Sequence, residues 1–192
     1  MAKLKRITPP SDDPVTLAQA RDHLHIEHEL DDAKLLDFIP AATAHAEEVE
    51  LRRALVTQTW ELYLDAFPEN AIEIPRPPLQ SVTSVKYLDT AGALQTLAVT
   101  TDYLVDLYEL PGLVLPAVGK SWPATQAVPN AVTVRFVAGY GDPDDVPVHL
   151  RQGLLLLIGH WYENREAFGT EELFEVPEGI RRIFAPYRVH TL

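Results

Sequence analysis

The sequence predicts an α+β protein. N-terminal helices and a long helix near the other end form a helical body, a β-rich insert lies between them, and a C-terminal tail follows. Three observations carry this. Apolar residues recur every three or four positions between Asp31 and Arg53 and again between Val146 and Ala167, the signature of helices with a buried face. From Thr57 the period drops to two, as in half-buried strands. Between the strand-like runs stand breakers, Pro75-Arg76-Pro77-Pro78 and the glycines Gly92, Gly139 and Gly141. The implied division is 1–56 for the N-terminal helical part, 57–141 for the insert, 142–167 for the long helix, and 168–192 for a loop, a short helix and a tail.

In chain order, Thr16-Leu17-Ala18-Gln19 matches a capping box, with Val15 placed to staple against Ala20, so a short helix through about Leu24 follows. In the second helix Leu35, Ile39, Ala42, Ala46 and Val49 make a narrow seam, and Pro40 removes one backbone hydrogen bond. Trp60, Leu62 and Leu64 alternate with Thr59, Glu61 and Tyr63 in the first predicted strand. Further strands are read at Ala71–Ile74, Ser81–Leu88, Leu94–Val99, Tyr103–Tyr108 and Asn130–Ala138, the third and fourth separated by the hairpin loop Asp89-Thr90-Ala91-Gly92-Ala93. The long helix opens on Pro147, and Asp142, Asp144 and Asp145 lie upstream at its positive end. Leu150, Leu154, Leu157, Ile158 and Trp161 share its main face. About 20 residues would make a rod of about 30 Å. Arg151, Gln152, His160 and Glu163 interrupt the apolar run, so it is no membrane span. Phe168-Gly169-Thr170-Glu171-Glu172 reads as a loop, and Pro177-Glu178-Gly179 starts a short helix whose apolar face is Ile180, Ile183 and Phe184.

A chain of 192 residues, 46% hydrophobic and 23% charged, can bury a sizeable core. Met1-Ala2-Lys3-Leu4-Lys5-Arg6 leads into no apolar run, so no signal peptide is expected. The absence of cysteine rules out disulfides and thiolate metal sites and fits synthesis in a cytoplasm. A net charge of −12 argues against a module that grips duplex DNA. Residues 54–145 hold four basic residues against eleven acidic ones, a local balance of −7. Basic residues gather near the ends, at Lys3, Lys5 and Arg6 and at Arg181, Arg182 and Arg188, either as solvated tails or as a grip on an acidic partner.

No motif builds a catalytic or metal site. His23, His25 and His28 with Glu27 and Glu29 have poor spacing for one ion and read as a solvated helix end. His160 with Glu163 and Asn164 lacks the second histidine of a helical zinc motif and reads as a hydrogen-bonded helix residue. Ala138-Gly139-Tyr140-Gly141 lacks the Lys-Ser/Thr of a phosphate loop and reads as a strand-to-helix turn. Ser81, Ser84 and Ser121 sit in no nucleophile elbow. Trp122 is either a surface anchor for another subunit or a ring packed under an irregular loop.

Five stretches, in order, resemble one family. They are Pro14–Leu24, Leu55–Leu62, Ile74–Val82, Val132–Gly141 and His160–Glu166, the last reading His-Trp-Tyr-Glu-Asn-Arg-Glu. Together they resemble the head–tail connector (adaptor) proteins of long-tailed bacteriophages and prophages, in the version with a β-rich insert between helices. The resemblance implies a non-enzymatic virion protein with no cofactor, assembled in the host cytoplasm and placed in the neck. It implies a ring of about a dozen copies under the portal protein, joined to a stopper or tail-terminator protein, with DNA only as cargo in the lumen and no membrane partner. An acidic lumen suits passage, since phosphate contacts would add affinity. On this reading Ile180, Arg181, Arg182, Phe184 and Tyr187 are expected to dock on the portal, either that or to pack back on their own domain. His160, Trp161, Glu163, Arg165 and Trp122 are expected between subunits. The competing readings are a small-molecule enzyme with a site near His160 and a DNA-packaging accessory protein.

Overall fold

The computed structural model describes residues 3–164 and 176–189. Among these residues eight strands and four α-helices occur in the order β1 (Lys3–Thr8), α1 (Leu17–His23), α2 (Asp32–His45), β2 (Gln58–Leu64), β3 (Ile72–Ile74), β4 (Leu79–Leu88), β5 (Leu94–Leu97), β6 (Tyr103–Asp106), β7 (Gly112–Pro116), β8 (Val132–Ala138), α3 (Val148–Glu163) and α4 (Glu178–Phe184). The fold is mixed α+β, as the change of period predicts. The chain forms two compact units, residues 1–10 with 57–140, and residues 11–56 with 141–192.

The first unit carries two antiparallel sheets, β1-β2-β8-β4-β5 and β3-β7-β6. The alternation in β8 buries Val132, Val134, Phe136 and Ala138 and leaves Thr133, Arg135 and Val137 on the other face. Trp60 and Leu62 of β2 and Val85 of β4 fall on the buried side by the same rule. At Gly112 of β7 a Cβ would lie 2.6 Å from Leu79 Cδ2 of β4, so only glycine permits that approach. The β4–β5 hairpin is closed by Asp89, whose carboxylate accepts from Ala91 N at 3.0 Å, Ala93 N at 2.9 Å and Gln95 Nε2 at 2.8 Å.

Two strands escape the sequence reading. Residues 3–8 are not a solvated tail but the edge strand β1, paired along β2. Their lysines hid the strand, and lysine is what an exposed edge carries to discourage further pairing. β7 lies between Pro111 and Pro116, too short and too punctuated for periodicity to register.

The second unit is helical. Thr16 caps α1 through a capping box with Gln19, and Val15 and Ala20 are buried beside it. α2 keeps Pro40 inside a continuous helix and buries Leu35, Ile39 and Ala42. At Ala46–Leu51 the winding becomes a π-helix. Its wider turn rotates the seam: Val49, expected inside, is 59% exposed, whereas Glu47, Glu50 and Leu51 are buried. α3 is shorter than expected, 16 residues, and starts after Pro147, which caps it. The acids upstream make a separate 3₁₀ turn, Pro143–Asp145, closed by an Asp142–Asp145 capping box. Leu150, Leu154, Leu157, Ile158 and Trp161 are buried as the spacing predicts. Leu155 is buried as well, and Leu156 lies at the surface. Among the described residues no helix is long and apolar enough to cross a membrane.

Candidate functional site

The residues singled out near the end of α3 hold the helical unit together. Asn164 Nδ2 donates to the His160 carbonyl at 2.8 Å and lies 3.1 Å from His160 Nδ1, closing the helix end. Tyr162 donates its hydroxyl to Asp31 Oδ2 at 2.8 Å, tying α3 to the start of α2. Trp161 was expected between subunits. It is instead a core residue, 6% exposed, with its ring edge-on to Phe38 at 6.4 Å and His45 at 6.0 Å. Helical periodicity places it on the buried face but cannot say which chain covers that face. Glu163 is exposed, and Arg165 lies outside the described residues, as does the loop read at 168–172.

Trp122 is half-buried and packs within its own unit. It stacks on Phe67 at 4.7 Å with an interplanar angle of 5°, and its indole N–H donates to the Asn70 carbonyl at 2.6 Å. Both contacts are within its own unit, so its ring is a loop anchor first.

The helix α4 packs back on its own unit, the second reading left open for it. Ile180 is 6% exposed and Phe184 is fully buried. The Phe184 ring occupies the notch left by Gly153 of α3, where a Cβ would lie 2.5 Å from its Cε1. Ile180 and Phe184 therefore pack on their own unit, while Ile183 of the same face is half-buried. Tyr187 and Arg181 are partly exposed, and of the five predicted residues Arg182 is at the surface, pairing with Glu178 across one helical turn at 3.3 Å.

What sequence reading missed is the polar latch behind α4. Glu50, buried by the π turn, receives the Arg188 guanidinium, and Arg181 Nε stands 3.7 Å from its other oxygen. Arg188 Nε also donates to the Glu50 carbonyl at 2.7 Å, Arg53 Nε to the Tyr187 carbonyl at 2.9 Å, and Val189 N to the Leu51 carbonyl at 2.9 Å. Glu47 accepts from Leu55 N at 2.7 Å. Two buried glutamates one turn apart each have a partner, as buried charges must. The nearest signal in the sequence is the Glu47-Glu48-Val49-Glu50 run facing three later arginines, and only the fold brings them together.

His45 borders this latch, with its Nε2 buried and without a hydrogen-bond partner among the described residues. Burial pushes its pKa below the usual histidine value; the Glu50 carboxylate opposes that shift and Arg181 adds to it. The unfolded chain therefore binds this proton more tightly than the folded one. Stability should fall as pH drops below about 6.5. Urea unfolding at pH 7 and pH 5 should show a smaller acid loss in His45→Gln than in the parent chain.

Among the described residues no group of three or more His, Asp or Glu side chains is placed to hold a metal. Exposed apolar side chains gather instead around the β6–β7 loop, where Tyr108 is 97% and Leu110 57% exposed. Exposed apolar side chains mark contact surfaces when they form a contiguous patch, whereas single ones are ordinary.

No family profile matches the chain, and no curated protein does. Solved structures do. The fold is similar to a chain in the neck of an empty gene transfer agent (GTA) particle computed with C6 symmetry, at a TM-score of 0.80 and 24% identity, covering 99% of this chain and 97% of that one. It is similar to a chain in the virion of a native GTA particle, at 0.78 and 25%, covering 98% and 96%. It is also similar to a chain in the neck of a native GTA particle computed with C12 symmetry, at 0.76 and 26%, covering 99% and 97%. Two of these neighbours come from a particle neck and one from a virion, and the likeness supports a head–tail connector-type protein with a structural role.

Proposed function

We propose that this chain is a non-enzymatic component of a virion neck, an adaptor that forms a ring beneath the portal and joins it to a stopper or tail. One observation carries the reading: the likeness over nearly the whole of both chains to a protein in a neck computed with C12 symmetry, at 26% identity. The ordered sequence resemblance to connector proteins points the same way. The acidic balance of −12 suits a lumen through which DNA slides without being held. Of the residues expected to meet partners, Trp122, His160, Glu163, Arg181, Arg182 and Tyr187 keep surface to offer, and the exposed Tyr108 loop joins them.

The test is assembly. The purified protein mixed with the portal protein of its own particle should add a ring to the portal in negative-stain images. Portals that stay bare at saturating protein would overturn the reading.

A further inference from the structure

The charge of this molecule is unevenly divided. The sheet unit has seven basic residues against eight acidic ones, a balance of −1, whereas the helical unit has nine against twenty, a balance of −11. Within the sheet unit the cations are sorted further. The register aligns Lys5, Glu61, Arg135 and Ser84 in one cross-strand row, and Lys3, Tyr63, Thr133, Lys86 and Thr96 in the next. Side chains in such rows share one face. This is the face opposite Leu62, Val134 and Val85, and Lys3, Lys5, Lys86 and Arg135 are all exposed on it.

The anions on this face are few and already engaged. Glu61 accepts from Arg135 Nε at 2.9 Å and from the Tyr63 hydroxyl. The Tyr63 hydrogen bond, followed by Arg135, holds its carboxyl below the usual range. Asp65, at the end of β2, accepts from Asn130 N at 2.9 Å and feels the charge of Lys3. With Arg135 paired to Glu61, Lys3, Lys5 and Lys86 leave this exposed face with an excess of cations on a chain of net −12, which suits an acidic partner.

We propose that the outer face of the sheet β1-β2-β8-β4-β5 docks on the acidic helical unit of a second copy of this chain. The proposal rests on the ring reading above and names the surfaces that would meet. The receiving surface is a groove of about 410 Å³ that includes Asp12, Asp13, Asp142 and Asp144 in its lining, with Leu36 and Ile39. Asp13 is held above the usual carboxylate range by burial and by the charge of Asp12, so an incoming ammonium would relieve a crowding of like charges. Because the two surfaces differ, the contact is heterologous, and repetition closes a ring when its rotation divides the circle.

Lys3→Glu with Lys86→Glu is the test, since their cross-strand neighbours are Tyr63, Thr133 and Thr96 rather than carboxylates. Sedimentation velocity should show multimers of the parent chain that the double variant weakens by at least about tenfold. Salt at about 1 M, where the Debye length is about 3 Å, should dissociate the parent. Mixing the double variant with an Asp12→Lys/Asp13→Lys chain should restore association. Multimers that persist in the double variant overturn the proposal and leave the ring reading intact, and failure of the mixed pair to associate also overturns it. A parent chain that stays monomeric at every concentration overturns the proposal, and the ring reading is then decided by the portal-binding test alone. Retention on a labelled DNA duplex that the double variant loses, with self-association unchanged, would reassign the face to nucleic acid.

Discussion

Phe184→Ala is expected to cost about 3–5 kcal/mol of stability, the range for removing a fully buried aromatic side chain. The loss should be high in that range, because the cavity would open against Gly153, which has no side chain to fill it. Urea unfolding followed by circular dichroism measures it, and the helical unit should lose its transition first. The reciprocal change, Gly153→Val, attacks the same contact from the other side. Its Cβ would stand 2.5 Å from Phe184 Cε1 and 2.9 Å from Cζ, so the ring must leave its notch or the helix must shift. Protease cleavage within 176–189 should then rise sharply in both variants. A Gly153→Val chain with parental stability and protection would contradict the packing described.

Glu50→Ala should cost about 1–3 kcal/mol, because the carboxylate it removes is buried whereas Arg188 and Arg181, 39% and 41% exposed, can turn to water. Glu50→Gln keeps the shape and one hydrogen bond and should cost less, so the difference between them reports the charge. If the latch holds α4 in place, Arg188→Met combined with Glu50→Ala should cost less than the sum of the two single changes. Strict additivity in that double-mutant cycle would mean that the two side chains do not act as a pair. Removing Glu50 should also leave His45 facing Arg181 without the opposing carboxylate, and so lower the histidine further.

These effects arise where sequence reading and structure part company, and the reasons are physical. Local patterns carry the elements whose cause is local. The Thr16–Gln19 capping box, the Asp89 hairpin loop, the alternation of β8 and the seam of α3 each depend on residues a few positions apart. β1 was hidden because an edge strand has little apolar alternation to show. Val49 was misplaced because periodicity assumes a constant 3.6 residues per turn, and a π turn breaks that assumption. The residues expected to meet partners divide on the same principle. Spacing places Trp161, Ile180 and Phe184 on apolar stripes, and a stripe looks the same whether its cover is another subunit or another helix of the same chain.

The sequence by itself determined the α+β class, the order of most elements, the acidic character and the lack of thiol chemistry, because these follow from composition and from contacts between near neighbours. Only the tertiary structure decided that α4 folds back onto Gly153, that Glu50 gathers arginines from 131 and 138 positions away, and that four cations share one face of a sheet in an acidic protein. Those outcomes depend on which distant surfaces meet, and burial free energy, having no direction of its own, leaves no periodic trace of that choice in the chain.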